Sequence, residues 1–255
     1  MATIHRIFFP VDGYDEISWL LALQCAEQIN GAHSPAIRDV VLLLHQQSIL
    51  DHSTLAGFLG SSHAKALRAG KSLGLPSGAT LRLETKKTIR HFGRPTTIIA
   101  FYADDAILEI VDGLKNVAGV VAVEDLKGSA AEWKDRWCPT VPGEAAKPPV
   151  ELIGDPVIVE ALKSLSMLIN NGNGLLISRD QDSAKDVLRI LRAKGRTADP
   201  NALKSWAINN GWTPGAAGDL AKLAKKIFDM KAKPSLANIA NANERYDRWC
   251  GKTPK

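Results

Sequence analysis

Apolar and polar positions follow two different rhythms along the chain. Ile4–Val11 reads as a strand, and Ile17–Ile29 sets Trp19, Leu20, Leu23, Ala26 and Ile29 near helical spacing. Val40–Leu44 is all apolar, the pattern of a strand buried on both faces. Residues 53–73 read as a helix, although Gly57, Gly60 and Gly70 weaken it. Thr80–Leu83 and Thr88–Phe92 are strand-like, and Thr97–Tyr102 and Val117–Val123 are further buried strands. Ala106–Leu114 and Ala130–Trp137 read as helices. Strands alternating with helices predict an α/β fold: a Rossmann-like domain over residues 1–140, its sheet mostly parallel.

The rhythm then breaks. Four prolines fall between Pro139 and Pro149, and residues 141–150 read as a Pro-rich linker. Beyond it, helix signals dominate. Asp155-Pro156, Asp199-Pro200 and Thr213-Pro214 each join a capping residue to a proline suited to the first helical turn. They predict helices over Val157–Ile169, from Pro200 to Asn210, and from Pro214 to about Met230. Asp182 is read as the cap of Ser183–Ala193, and Ser235 as the cap of a last helix to Trp249. Leu175–Ser178 is the one strand-like stretch. Residues 151–255 are therefore expected to form a smaller, all-helical domain.

Composition narrows the class. With 45% hydrophobic and 23% charged residues over 255 positions, the chain is neither mostly disordered nor a disulfide scaffold. Its three cysteines form no CxxC pair, and a sparse odd count suits a reducing cytoplasm. The opening MATIHRIFFPVDGYDE lacks the apolar core of a secretory signal, and no apolar run approaches membrane-spanning length.

Charge is unevenly divided. Residues 1–150 carry 15 Lys/Arg and 16 Asp/Glu, whereas residues 151–255 carry 17 and 11. The window 185–233 alone holds 11 basic and 4 acidic residues. Such a cationic stretch suits nucleic acid, or is a solvated helix surface. Arg189, Arg192, Lys194 and Arg196 lie on one helix and the turn after it, with a second helix following. This spacing fits a helix-turn-helix. Lys222, Lys225 and Lys226 add a second cationic strip.

Candidate chemistry concentrates where strands end. Asp12 follows the first strand, Asp104 and Asp105 follow the TIIAFY strand, and Glu124 and Asp125 follow VAGVVAV. In open parallel sheets ligands bind at that edge. Gathered acids there could hold Mg²⁺ for phosphoryl transfer or nuclease chemistry. The same acids also suit N-caps of the helices that follow. His45 ends a buried strand and His91 sits beside Arg90 and Arg94, so either could face a pocket. No metal set is evident, and neither GxxxxGK[ST] nor GxGxxG occurs. Residues 132–138 (EWKDRWC) and 244–250 (ERYDRWC) match at five of seven positions. Each copy ends a predicted helix, as a docking anchor or as a buried Trp.

Two short segments resemble known families. RIFFPVDGYDEISWLLALQCAEQ resembles the opening of universal stress proteins, which implies an α/β fold with Asp12 at an adenine-nucleotide site. That family's later glycine-rich phosphate loop is not found after VAGVVAV. Residues 200–227 resemble the DNA-binding domain of actinobacterial nucleoid-associated silencers, with Trp206, Ala207, Asn210 and Gly211 matching its W-A-x-x-N-G helix. The family's R-G-R minor-groove hook is replaced here by Pro214–Gly218.

The leading expectation is a cytoplasmic nucleic-acid-binding protein, with DNA the favoured partner. Its α/β domain would sense a ligand or oligomerise. The alternatives are an Mg²⁺-dependent enzyme using Asp12, Asp104, Asp105 and Glu124, and a protein-interaction subunit of a larger assembly. None of these readings involves a membrane.

Overall fold

The computed structural model describes residues 4–251 except 11–13, 34, 147, 149, 171 and 173. The chain divides into two compact units, Met1–Pro149 and Val150–Lys255.

The first unit is the expected Rossmann-like fold. Its strands are β1 (His5–Phe9), β2 (Asp39–Leu44), β3 (Leu73–Gly74), β4 (Thr80–Thr85), β5 (Thr96–Ala103) and β6 (Val117–Glu124). They lie in the order β1-β6-β5-β2-β4-β3, and all neighbours are parallel except β3 with β4. Every residue of β5 and β6 is buried, which is why both read as mostly apolar runs without alternation.

The helices are divided between the two sheet faces. On one face lie α1 (Glu16–Ala32), α2 (Ile49–His52), α3 (Thr54–Leu59) and α4 (Ser61–Arg68). There Trp19, Leu55 and Leu67 pack with Val40, Leu42 and Phe101. On the other lie α5 (Asp105–Asp112) and α6 (Ala131–Trp137), where Ile107, Leu108 and Trp133 meet Val41, Leu43 and Ile98. Gly119, in the middle of β6, has a packing reason: a Cβ there would lie 2.7 Å from Cγ2 of Ile29 in α1.

Three local readings are corrected. The helix expected over 53–73 is broken at Gly60, whose φ of +79° is a left-handed conformation that separates α3 from α4. Thr88–Phe92 is not a strand. It begins as a turn on Thr85, and it buries Ile89 and Phe92 while carrying the chain from β4 to β5. That burial imitates strand alternation. The expected linker also begins inside the fold, where its first residue, Val141, is buried in the core of the α/β unit. Thr140 lies beside β1, accepting from Phe8 N and donating to Arg6 O, both at 2.9 Å, and so extends the sheet past its edge.

The second unit contains α7 (Pro156–Ser166), α8 (Ser178–Ala193), α9 (Pro200–Asn209), α10 (Pro214–Phe228) and α11 (Ala242–Gly251). Asp155, Asp199 and Thr213 cap α7, α9 and α10 as expected, and each helix has proline in its first turn. Residues 174–176 form a single 3-10 turn rather than a strand. α8 begins at Ser178, four residues before the expected cap Asp182, and α11 begins at Ala242, well after Ser235. Among the described residues no helix is long and apolar enough to cross a membrane.

Candidate functional site

The α/β unit has a structural switch at the carboxyl edge of its sheet. β2 leads into α2 on one face, while its neighbour β5 leads into α5 on the opposite face. Two connections leaving in opposite directions open a crevice between them, the usual ligand position in such sheets. A cavity of about 340 Å³ lies there. His45, Ser48, His52 and Ser53 line it from the β2 side, with Tyr102 at the end of β5, Asp125 after β6 and Tyr14 before α1.

Side-chain contacts between segments hold the walls. Tyr102 has φ +56°, a left-handed conformation rare for a residue with a Cβ. Its hydroxyl lies 2.9 Å from Thr54 Oγ1 and accepts from Leu55 N at 3.3 Å, so the strained strand end is tied to the first turn of α3. The Tyr14 and Tyr102 rings sit 5.9 Å apart at 53°. His45 Nε2 lies 3.4 Å from Asp104 Oδ1, which orients the imidazole at the mouth of the cavity.

The acids at the strand ends are engaged locally. Asp104 caps α5, accepting from Ile107 N at 2.8 Å. Asp105 caps α6 from outside, accepting from Trp133 N at 2.8 Å and Glu132 N at 3.2 Å, while the positional cap Ala130 has no side chain to do so. Glu124 is buried and accepts from Gly128 N at 2.8 Å and Ala130 N at 3.2 Å. The loop after β6 is thus an anion cradle already filled by the protein's own carboxylate. Asp12 lies outside the described residues. Among those described, no group of three or more His, Cys, Asp or Glu is placed to hold a metal ion.

A second cleft of about 270 Å³ lies where β2 and β5 begin, and His91, Arg90 and Arg94 line it. Its charges are largely satisfied. Arg94 pairs with Asp39 at 2.9 Å, Arg82 pairs with Glu84, and His91 Nδ1 accepts from Lys115 N at 3.3 Å. The carboxyl-edge cavity is the better candidate because it lies at the switch and is lined by tyrosine, serine and histidine rather than by paired charges.

The cationic residues of the helical unit separate into two sets. Arg189 donates to Ser235 O, and Arg192 donates to Met230 O at 3.0 Å. Lys194 donates to Asn243 Oδ1 at 2.9 Å. Arg196 donates to Tyr246 Oη and to Asp155 Oδ2, both at 2.7 Å, and these bonds hold its guanidinium above its ordinary pKa. These four side chains pin the segment 230–246 and the start of α7 to α8. By contrast Lys222, Lys225 and Lys226 are exposed at helical spacing on α10, and among the described residues only Lys222 of the three has an acid within ion-pair distance, Asp219 at 3.7 Å.

The two glycine turns share one geometry. Gly195 N donates to Arg192 O and Arg196 N to Leu191 O, with Gly195 at φ +79°. Gly211 N donates to Ile208 O and Trp212 N to Ala207 O, with Gly211 at φ +88°. Both are Schellman C-caps.

The residues that the sequence reading missed at the cavity are Tyr14, Ser48, His52, Ser53 and Tyr102; His45 was singled out there, and Asp125 was noted among the strand-end acids. The missing signal was spatial: nothing in chain order shows that β2 and β5 are neighbours.

Fold and cavity together define a doubly wound α/β unit with a carboxyl-edge crevice, followed by a helical unit. The model of a family described as a domain of unknown function (DUF1889) matches residues 154–250, within the helical unit. Comparison with curated proteins and with solved structures gives no match.

Proposed function

We propose that the α/β unit is a small-molecule-binding domain, taking a planar polar compound in the crevice between β2 and β5. The carrying observation is that two tyrosines and two histidines converge on a cavity of about 340 Å³ at the switch point. Such a setting combines flat apolar surface with a few orienting polar groups. The filled Glu124 cradle argues for a ligand that does not depend on a phosphate bound in the loop after β6. Resemblance to universal stress proteins supports the same edge of the sheet.

The test is a nuclear magnetic resonance screen of planar heterocycles, with adenosine and ATP among the probes. Binding is expected to move the amides of residues 45–53 and 102, with ATP no tighter than adenosine. Tyr102→Ala should weaken the hits by about tenfold, in line with the loss of one aromatic contact and one hydrogen bond. Hits that bypass this crevice, or that ignore Tyr102→Ala, would remove the reading.

A second reading assigns nucleic-acid binding to the helical unit, and the exposed row Lys222, Lys225, Lys226 favours it. Phosphate contacts need charges that are not committed elsewhere. The contact set therefore shrinks from seven residues to these three. Replacing all three by Glu should abolish binding to duplex DNA in fluorescence anisotropy. Replacing them singly by Gln should lower the salt slope by about one unit each. Unchanged binding in the triple variant rejects the α10 interface.

A further inference from the structure

A separate cleft of about 300 Å³ lies within the helical unit, between the end of α7, α8 and α11. Val187 and Trp249 form its floor, and Trp249 is only 3% exposed. Met167 and Leu168, just after α7, stand on its rim although 75% and 60% exposed. Two adjacent large apolar side chains beside an apolar cleft extend its apolar surface, and covering them would be favourable. The hydroxyl of Ser164, which also lines the cleft, already donates to Glu160 O at 2.9 Å.

The other polar residues that line it are two arginines. Arg245 and Arg248 lie one turn apart on α11, and both line the cleft. Arg245 rests 5.8 Å over the Trp249 ring and approaches Asp186 only to 3.9 Å. Arg248 is exposed and makes no ion pair among the described residues. An apolar floor under a doubly cationic rim is complementary to a molecule with an apolar body and one anionic head. Guanidinium forks match carboxylate geometry. The cavity suits about ten heavy atoms, at the small end of ligand pockets.

We propose that this cleft binds a small amphiphilic carboxylate, an acyl or aryl acid, with its body on Trp249 and Val187 and its head on Arg245 and Arg248. The site is independent of the crevice in the α/β unit and of the α10 lysines.

Octanoate and octan-1-ol, titrated into the full chain, separate the two halves of the claim. Octanoate should saturate one site and shift the Trp249 indole resonance, and octan-1-ol should bind about tenfold more weakly, as expected for loss of charge-assisted bonds. Arg248→Gln and Arg245→Gln should each weaken octanoate by about the same factor and leave octan-1-ol unchanged. Circular dichroism of the Gln variants should match the parent. Equal affinity for acid and alcohol, indifference to both Gln variants, absence of saturable octanoate binding, or shifts that avoid Trp249 would each overturn the assignment.

Discussion

Asp112→Ala should be the most damaging single change in the α/β unit, lowering its melting temperature by roughly 10 °C, or about 3–5 kcal/mol. Asp112 ends α5, and its side chain is only 2% exposed, as is that of its partner Arg136 at 2.7 Å. It also accepts from the indoles of Trp133 at 3.2 Å and Trp137 at 2.9 Å. Arg6 stacks on Trp137 with its guanidinium 3.5 Å from the ring centre, and burial pushes its pKa down to about 10. Burial likewise pushes the Asp112 carboxyl above its usual range, while the Trp137 hydrogen bond and the Arg136 charge pull it back. Removing that acceptor takes the ion partner from a buried cation and the hydrogen-bond acceptor from two indole donors together. The cost should therefore lie in what is left behind, not in the lost pair itself. Asp112→Leu with Arg136→Met tests this, because it removes both charges and leaves apolar volume. It should recover most of the loss in thermal unfolding. A double variant as unstable as Asp112→Ala would show that the carboxylate matters for another reason.

This cluster also explains half of the internal echo. In EWKDRWC the two Trp and the Arg all converge on Asp112, so the motif is one face of a buried polar network. In ERYDRWC the Trp is again buried, but the tyrosine is held by Arg196 and the arginines line the amphiphile cleft. The same letters serve two environments. Much of the fold was legible because burial writes itself as composition: β2 and β6 have no polar residue in their interiors, and β5 has only Thr97 and Tyr102, one near each end. Caps were legible as well, since Asp155, Asp199 and Thr213 precede prolines. The carboxyl-edge cavity was less so. It depends on β2 lying beside β5, and chain order places β3 and β4 between them. Charge was legible in number and not in use. Arg189, Arg192, Lys194 and Arg196 look like a phosphate-binding row until the carbonyls and side chains that occupy them are seen. Lys194-Gly195-Arg196 and the W-A-x-x-N-G segment carry glycines because helices end there. Resemblance over such a segment reports a helix C-cap before it reports DNA recognition.

That argument leads to the largest expected effect in the helical unit. Trp212→Ala should destabilise it by about 3–5 kcal/mol, the usual range for truncating a buried Trp. Trp212 is 2% exposed and follows Gly211 in the cap of α9, where its amide donates to Ala207 O at 3.0 Å. Its indole donates to Ser166 Oγ at 2.7 Å, and that hydroxyl in turn donates to Leu162 O at 2.9 Å. One side chain therefore ties the α9–α10 turn to the last turn of α7. Trp212→Phe separates the two contributions. It keeps a six-membered aromatic ring in the core and removes the indole donor with the rest of the bicycle, so it should cost about 1–2 kcal/mol. Amide hydrogen exchange in the intact chain reads the difference locally. Protection of α7, α9 and α10 should collapse in Trp212→Ala and change slightly in Trp212→Phe, while β5 and β6 stay protected in both. Equal losses in the two variants would put the energy in the hydrogen bond, and a loss below about 1 kcal/mol in Trp212→Ala would deny the residue its place in the core. The outcome also bears on the α10 lysines. Any fall in DNA binding on changing Trp212 is expected to track the loss of folded helical unit. A charge-reversed α10 should instead lose binding with its exchange protection intact.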